Sequence, residues 1–221
     1  SDLGNWIATQ PHLEFTAEII QNSWLLSRGK ILKKLFFLVQ HRGAVKTLRS
    51  FYFRLASLID KFLTYVISKE AIKFLNRSSP LSAATRVDVY PQISRSGFVY
   101  AYSERDIEKI RSLNCDVLIR CGTGILSGAI LNCTKFGVLS FHHGDNQKYR
   151  GGPPGFWEVY RKEDQTGFII QQLTEVLDGG NVLFRGFVET KPLFTWNKSN
   201  VLRYSNIAMY KVLRDLPKNS C

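Results

Sequence analysis

Residues 137–154 read Gly137-Val138-Leu139-Ser140-Phe141-His142-His143-Gly144-Asp145-Asn146-Gln147-Lys148-Tyr149-Arg150-Gly151-Gly152-Pro153-Pro154. The first residues make a short apolar strand that runs straight into two histidines. The remainder is polar and rich in Gly and Pro, and no regular element continues through it. A strand that carries polar side chains at its C-terminal end, followed by a shaped loop, is how open α/β sheets build their sites. Working outward, residues 167–180 repeat the design: an apolar strand from Gly167 ends in Leu177-Asp178-Gly179-Gly180, an acid on a tight turn. The fold class that follows is α/β, an open and mostly parallel Rossmann-like sheet with helices on both faces.

A histidine beside a carboxylate is an acid or base of useful pKa, oriented by its partner. His142 and Asp178 are the candidate pair. Most lone histidines take no part in catalysis; position singles this one out. It closes a strand, and Gly144, Gly151 and Gly152 after it let a ligand approach the backbone. Asp178 keeps two readings, one facing the cleft and one bonding its own turn. A metal on His142, His143 and Asp145 is disfavoured, because neighbouring histidines on a strand point to opposite faces. No metal is expected.

The chain of 221 residues is long enough for one sizeable core. Four cysteines without C-x-x-C spacing read as free thiols, with Cys115 and Cys121 near a buried strand, in a reducing, cytoplasmic compartment. The net charge of +12 is concentrated: residues 28–77 hold twelve Lys/Arg against two acids, Asp60 and Glu70, a net of +10. That segment reads as helices, Ile31 to Val39 and then a stripe of Leu48, Phe51, Tyr52, Leu55, Leu58, Ile59, Phe62 and Val66 at helical spacing. A helical hairpin packed on the sheet with solvated lysines is the plain expectation. The sharper ones are a peripheral site for an anionic membrane surface and, less favoured, nucleic acid.

Residues 13–20 alternate like a strand. An earlier strand feeding the first helix, usual in doubly wound domains, would precede Ser1. Arg86–Tyr90 is a short strand, Ser103 an N-cap for a helix to Leu113, and 114–120 an apolar strand. Gly122–Leu131 is a glycine-bearing turn entering a short helix. A helix around 156–160, an extended segment 182–188 and a last helix 200–213 complete the chain, organised as 1–27, 28–80 and a catalytic part 81–221.

With Ser140-Phe-His142, Tyr149-Arg-Gly151 and Leu177-Asp-Gly-Gly180 in place, the sequence resembles the catalytic domain of the folate-dependent formyltransferases over about residues 84–190. That family has a strand ending Asn-x-His, a loop ending Tyr-x-Gly or Arg-Gly, and a later Leu-Asp-x-Gly. The resemblance implies that His142 bonds the formyl oxygen and shuttles a proton, and that Asp178 orients it and orders a water. It implies that Leu126, Leu131 and the backbone of Thr174, Glu175, Val176, Leu177 and Asp178 line the folate pocket. The chain departs from the pattern where Ser140 replaces the family Asn, an oxyanion donor whose loss costs on the order of 10²–10³ in rate elsewhere. His143 or Asn146 are candidates to compensate. Asp145 and Glu158 suit a substrate ammonium or hydroxyls. Arg150 reads equally as a phosphate ligand or a surface arginine closing the loop, and Trp157 as packing under it.

The implied reaction is formyl transfer from 10-formyltetrahydrofolate to a primary amine, foremost that of a nucleotide- or lipid-linked amino sugar. Two alternatives stay open: methionyl-tRNA as acceptor, and a non-catalytic binding module that keeps the fold.

Overall fold

The computed structural model describes residues 6–7, 9–22, 52–76, 85–122, 124–149, 152–176 and 179–216. The expected helix Ile31–Val39 therefore lies outside the described residues, as do Arg150, Leu177 and Asp178.

Among the described residues, nine strands form three sheets. β1 (Ala17–Gln21) pairs in parallel with β2 (Thr85–Val89). β3 (Gln92–Ile93) runs antiparallel to β4 (Val99–Ala101), which is parallel to β6 (Ile125–Ser127). The sheet that carries the site has the order β5 (Leu118–Arg120), β7 (Val138–His142), β8 (Gln165–Gln172) and β9 (Asn181–Glu189). Its β5–β7 pair is parallel, whereas β7–β8 and β8–β9 are antiparallel. The α/β class holds, with parallel and antiparallel pairs mixed. The connections explain the change of direction: β8 returns along β7 after a single short helix, and β8 and β9 form a hairpin.

Helices are α1 (52–67), α2 (Lys69–Asn76), α3 (Glu104–Arg111), α4 (Phe156–Arg161) and α5 (Phe194–Asp215). The Ser103 N-cap forms as expected, its hydroxyl accepting from Asp106 N at 3.2 Å. Residues 125–127 are a strand, and only Ala129–Asn132 is a 3-10 turn, so the helix read from Gly122–Leu131 is shorter than expected.

β7 is buried on both faces, which is why its sequence is apolar through Val138-Leu139. Leu139 joins Phe168, Ile170, Val188 and the inner side of α5 (Val201, Met209, Leu213) in one core. Val138 turns the other way, into a second core with Val89, Ile107, Ile110, Leu126 and Leu131. Asn197 is fully buried in the first turn of α5 and ties three segments. Its amide donates to Gly155 O and Thr166 Oγ1, each at 2.9 Å, and its carbonyl accepts from Lys191 N at 3.0 Å.

The stripe on α1 is the clearest correction. Leu58, Phe62 and Val66 are more than 60% exposed, and Leu55 and Ile59 are also open to solvent. The face turned to the domain carries Ser57, Asp60 and buried Thr64, with Phe53 edge-on against Phe156 of α4. The physical reason is the Asp60 carboxylate, which accepts from Phe194 N at 2.8 Å and Thr195 N at 2.7 Å and so caps α5 from another segment. Cys121 is exposed rather than buried, since β5 ends at Arg120 one residue before it.

Candidate functional site

Along β7 the period of two puts Val138, Ser140 and His142 on one face. His142 is half-buried, and its Nε2 lies 3.2 Å from the Tyr149 carbonyl. A carbonyl only accepts, so Nε2 carries the hydrogen and Nδ1 keeps the lone pair. The carbonyl is placed by a tight turn: Lys148 N and Tyr149 N both donate to Asp145 O, at 2.9 and 2.7 Å. The Ser140 hydroxyl is engaged with the backbone at Phe141 O, 3.3 Å away.

The turn is held down by a residue that the motifs do not name. Arg185 on β9 donates to Asp145 Oδ1 at 2.8 Å and to Asn146 Oδ1 at 2.9 Å. It stands in register across β8 from His142, through Ile169. Asp145 and Asn146 both bond Arg185 and so anchor the loop, because a nearly buried carboxylate takes the nearest cation. A lone arginine in an otherwise apolar strand 182–188 is the signal that could have found the clamp. β8 makes room for it at Gly167, where an added Cβ would stand 3.0 Å from Asp145 Cα and N.

His143 takes the face of β7 opposite His142, as neighbours on a strand do. Its ring lies parallel to Phe141 and its Nε2 is 3.1 Å from Ser205 Oγ on α5, away from His142. Burial, reinforced by the neighbouring His142, lowers its pKa to about 4. It is a neutral, structural histidine at ordinary pH.

Beneath the loop lies a cavity of about 540 Å³ lined by Asp145, Lys148, Tyr149, Glu158 and Glu163 among others. Glu158 is 2% exposed with Oε1 unpartnered, and burial raises its pKa. Tyr149 hydroxyl donates to Glu163. Trp157 packs edge-on against Phe156 and Tyr160.

A second polar group was missed from the sequence. At the C-terminal ends of β1 and β5, Gln21 Oε1 accepts from Arg120 Nη1 at 2.7 Å and from the Tyr102 hydroxyl at 3.1 Å. Arg120 is the register neighbour of Ser140. A cavity of about 660 Å³ opens between β1 and β5 with Tyr100, Tyr102, Arg120 and Leu126 in its wall. The apolar strand 114–120 that ends on a charge was the available sign.

Of the residues implied for the folate pocket, Leu126 and Leu131 lie in the second core, on the Ser140/His142 side of β7. The turn after β8 meets the turn after β6 directly: Gly128 N donates to Glu175 Oε1 at 3.0 Å. Thr174 Oγ1 donates to Gly179 O at 3.2 Å, and Val176 is exposed. Among the described residues no group of three His, Cys, Asp or Glu is placed to hold a metal, and no helix is long and apolar enough to cross a membrane.

No family model matches the chain. Part of the chain is similar to known formyltransferases, in keeping with the motif resemblance. Among these relatives are methionyl-tRNA formyltransferases. That of Clostridioides difficile (strain 630) is 35% identical over 88 residues, 39% of this chain and 28% of the relative. That of Ureaplasma parvum serovar 3 is 29% identical over 102 residues, 46% of this chain and 33% of the relative. The chain thus matches about a third or less of these relatives' length. Among solved structures, glycinamide ribonucleotide transformylase 1 from Symbiobacterium toebii aligns at TM-score 0.48 and 13% identity, over 61% of this chain and 63% of that one. That likeness is loose, and nothing about the site rests on it.

Proposed function

We propose that this chain transfers a formyl group from 10-formyltetrahydrofolate to a primary amine, the amine of a nucleotide- or lipid-linked amino sugar. The observation that carries the reading is His142: it closes β7 on the same face as Ser140, with Nε2–H committed to Tyr149 O and Nδ1 free to accept. The residues suit the donor. An apolar floor of Leu126 and Leu131 lies beneath two turns rich in backbone polar groups and joined by Gly128 and Glu175. Bound there, the folate would supply an activated formyl carbon.

In the reaction the amine nitrogen bonds to that carbon, the bond from the carbon to the folate nitrogen breaks, and the amine proton ends on that nitrogen. His142 Nδ1 takes the proton as the amine attacks, and the imidazolium stabilises the charge developing on the formyl oxygen. Ser140 turns its hydroxyl from Phe141 O toward the same oxygen. Asp178 orders a water that relays the proton, a role carried over from the family pattern. Arg185 positions the loop, acting through Asp145 and Asn146.

The test is incubation of the protein with 10-formyltetrahydrofolate and a panel of amino-sugar nucleotides and lipid-linked amino sugars, read by mass spectrometry for a gain of one CO. His142→Ala should abolish the gain while circular dichroism is unchanged. No gain on any amine, together with no thermal stabilisation by folate analogues, would refute the reading. Methionyl-tRNA is the second acceptor reading, favoured by the names of the relatives. Formyl-methionyl-tRNA in the same assay would decide for it. Folate binding without turnover on any acceptor would favour the binding module.

A further inference from the structure

We infer that α1 seats this chain on an anionic lipid surface. This does not rest on the formyltransferase reading. The motive is the inversion of the helix: Ser57, Asp60 and Thr64 face the domain together with Phe53, and the rest of the large hydrocarbon faces out. At about 100° per residue, the exposed apolar arc from Tyr65 through Leu58, Phe62, Val66 and Ile59 to Ile67 spans roughly 200° of the helix. A helix packed on a protein core needs an apolar stripe of only about 100°. Water around so wide an arc of large side chains is costly, and a bilayer interface accepts it without a matching partner surface.

Charge selects the occupant. Residues 28–77 carry twelve Lys/Arg and two acids, and both acids are engaged inside the chain. Asp60 caps α5, and Glu70 pairs with Lys73 at 2.8 Å. A second copy would add a second stretch of the same strongly basic sequence, net +10, to the first. Acidic headgroups complement the same segment, at the level where Arg54 and Lys61 flank the apolar arc and can extend to phosphates.

The test uses the whole chain and co-sedimentation with two vesicles, pure phosphatidylcholine and phosphatidylcholine with about one third phosphatidylglycerol. Binding is expected to the acidic vesicles at least about tenfold more tightly than to the neutral ones, and to weaken as salt rises from about 0.1 to 0.5 M. Leu58→Glu with Phe62→Glu, at exposed positions where folding is not at stake, should remove it. Sedimentation with neither vesicle, equal sedimentation with both, or binding untouched by the double substitution overturns the inference. A concentration-dependent dimer that the double substitution dissolves overturns it in favour of a second copy.

Discussion

Arg185→Met tests whether a clamp two strands away sets the position of His142. The arginine makes two bonds, to Asp145 Oδ1 at 2.8 Å and Asn146 Oδ1 at 2.9 Å. Hydrogen bonds involving a charged group contribute about 1.5–3 kcal/mol each when well sequestered. The Arg185 side chain is 30% exposed and that of Asp145 11%, so the pair is partly screened. Removing the cation also leaves the Asp145 carboxylate nearly buried, with the backbone N–H of Gln147, 3.1 Å away, still donating to it. A loss of about 2–3 kcal/mol follows, which for a chain of this size lowers Tm by roughly 5–10 °C. Urea denaturation measures it as a shift in midpoint with the slope unchanged.

The functional consequence is separate from the loss of stability. With the turn released, Tyr149 O no longer holds Nε2, and a displacement of about 1 Å costs on the order of 10² in rate. Asp145→Asn in the Arg185→Met background removes the stranded charge, so the double variant should recover at least about 1 kcal/mol relative to additivity. It should not recover the rate. A single variant that loses less than about 0.5 kcal/mol and keeps full formyl transfer would falsify the clamp.

Gly167→Ala places a methyl group against Asp145 and should cost about 1–3 kcal/mol by overpacking, with a matching fall in transfer rate; an unchanged midpoint would show the loop is not seated on β8. Asp60→Ala removes the carboxylate at the start of α5 and should cost about 1–2 kcal/mol, while Asp60→Glu recovers part of it; thermal melts decide. For His143 the folded pKa of about 4 lies below the ordinary value of 6.5, so the unfolded chain binds the proton first. Its contribution is intact above about pH 6.5 and falls between there and pH 4, at up to about 1.4 kcal/mol per pH unit. His143→Gln should flatten that stretch of the stability profile, and an unaltered slope would count against a buried neutral imidazole. Asn197→Ala breaks three buried bonds and should cost about 2–4 kcal/mol, read as a lower denaturation midpoint.

The strand ends were legible because their grammar is local. An apolar run, then polar residues, then glycines marks 137–154, and β7 indeed ends at His142. The helix cap at Ser103 was equally local. The clamp was not, because Arg185 reaches Asp145 across forty positions and nothing near either residue announces the other. The face of α1 was misread for a related reason: spacing tells which side chains share a face, and only the partner tells which face turns inward. Here a single carboxylate matching the open end of α5 decided the orientation against the six described side chains of the stripe. β1 begins at Ala17 rather than Leu13, and α5 starts at Phe194, six residues before the expected start, since Asp60 extends it from outside.

The grip on His142 has a bearing on how variants of this chain should be read. Its oxygen belongs to the main chain, and every amino acid brings one. Position 149 can therefore take any residue that keeps an N–H for Asp145 O without losing the oxygen that holds the imidazole, provided the chain keeps its count from the histidine to that carbonyl. An insertion or deletion of one residue between 143 and 149 would move that oxygen whatever side chains it left in place, and a search for invariant side chains would overlook it.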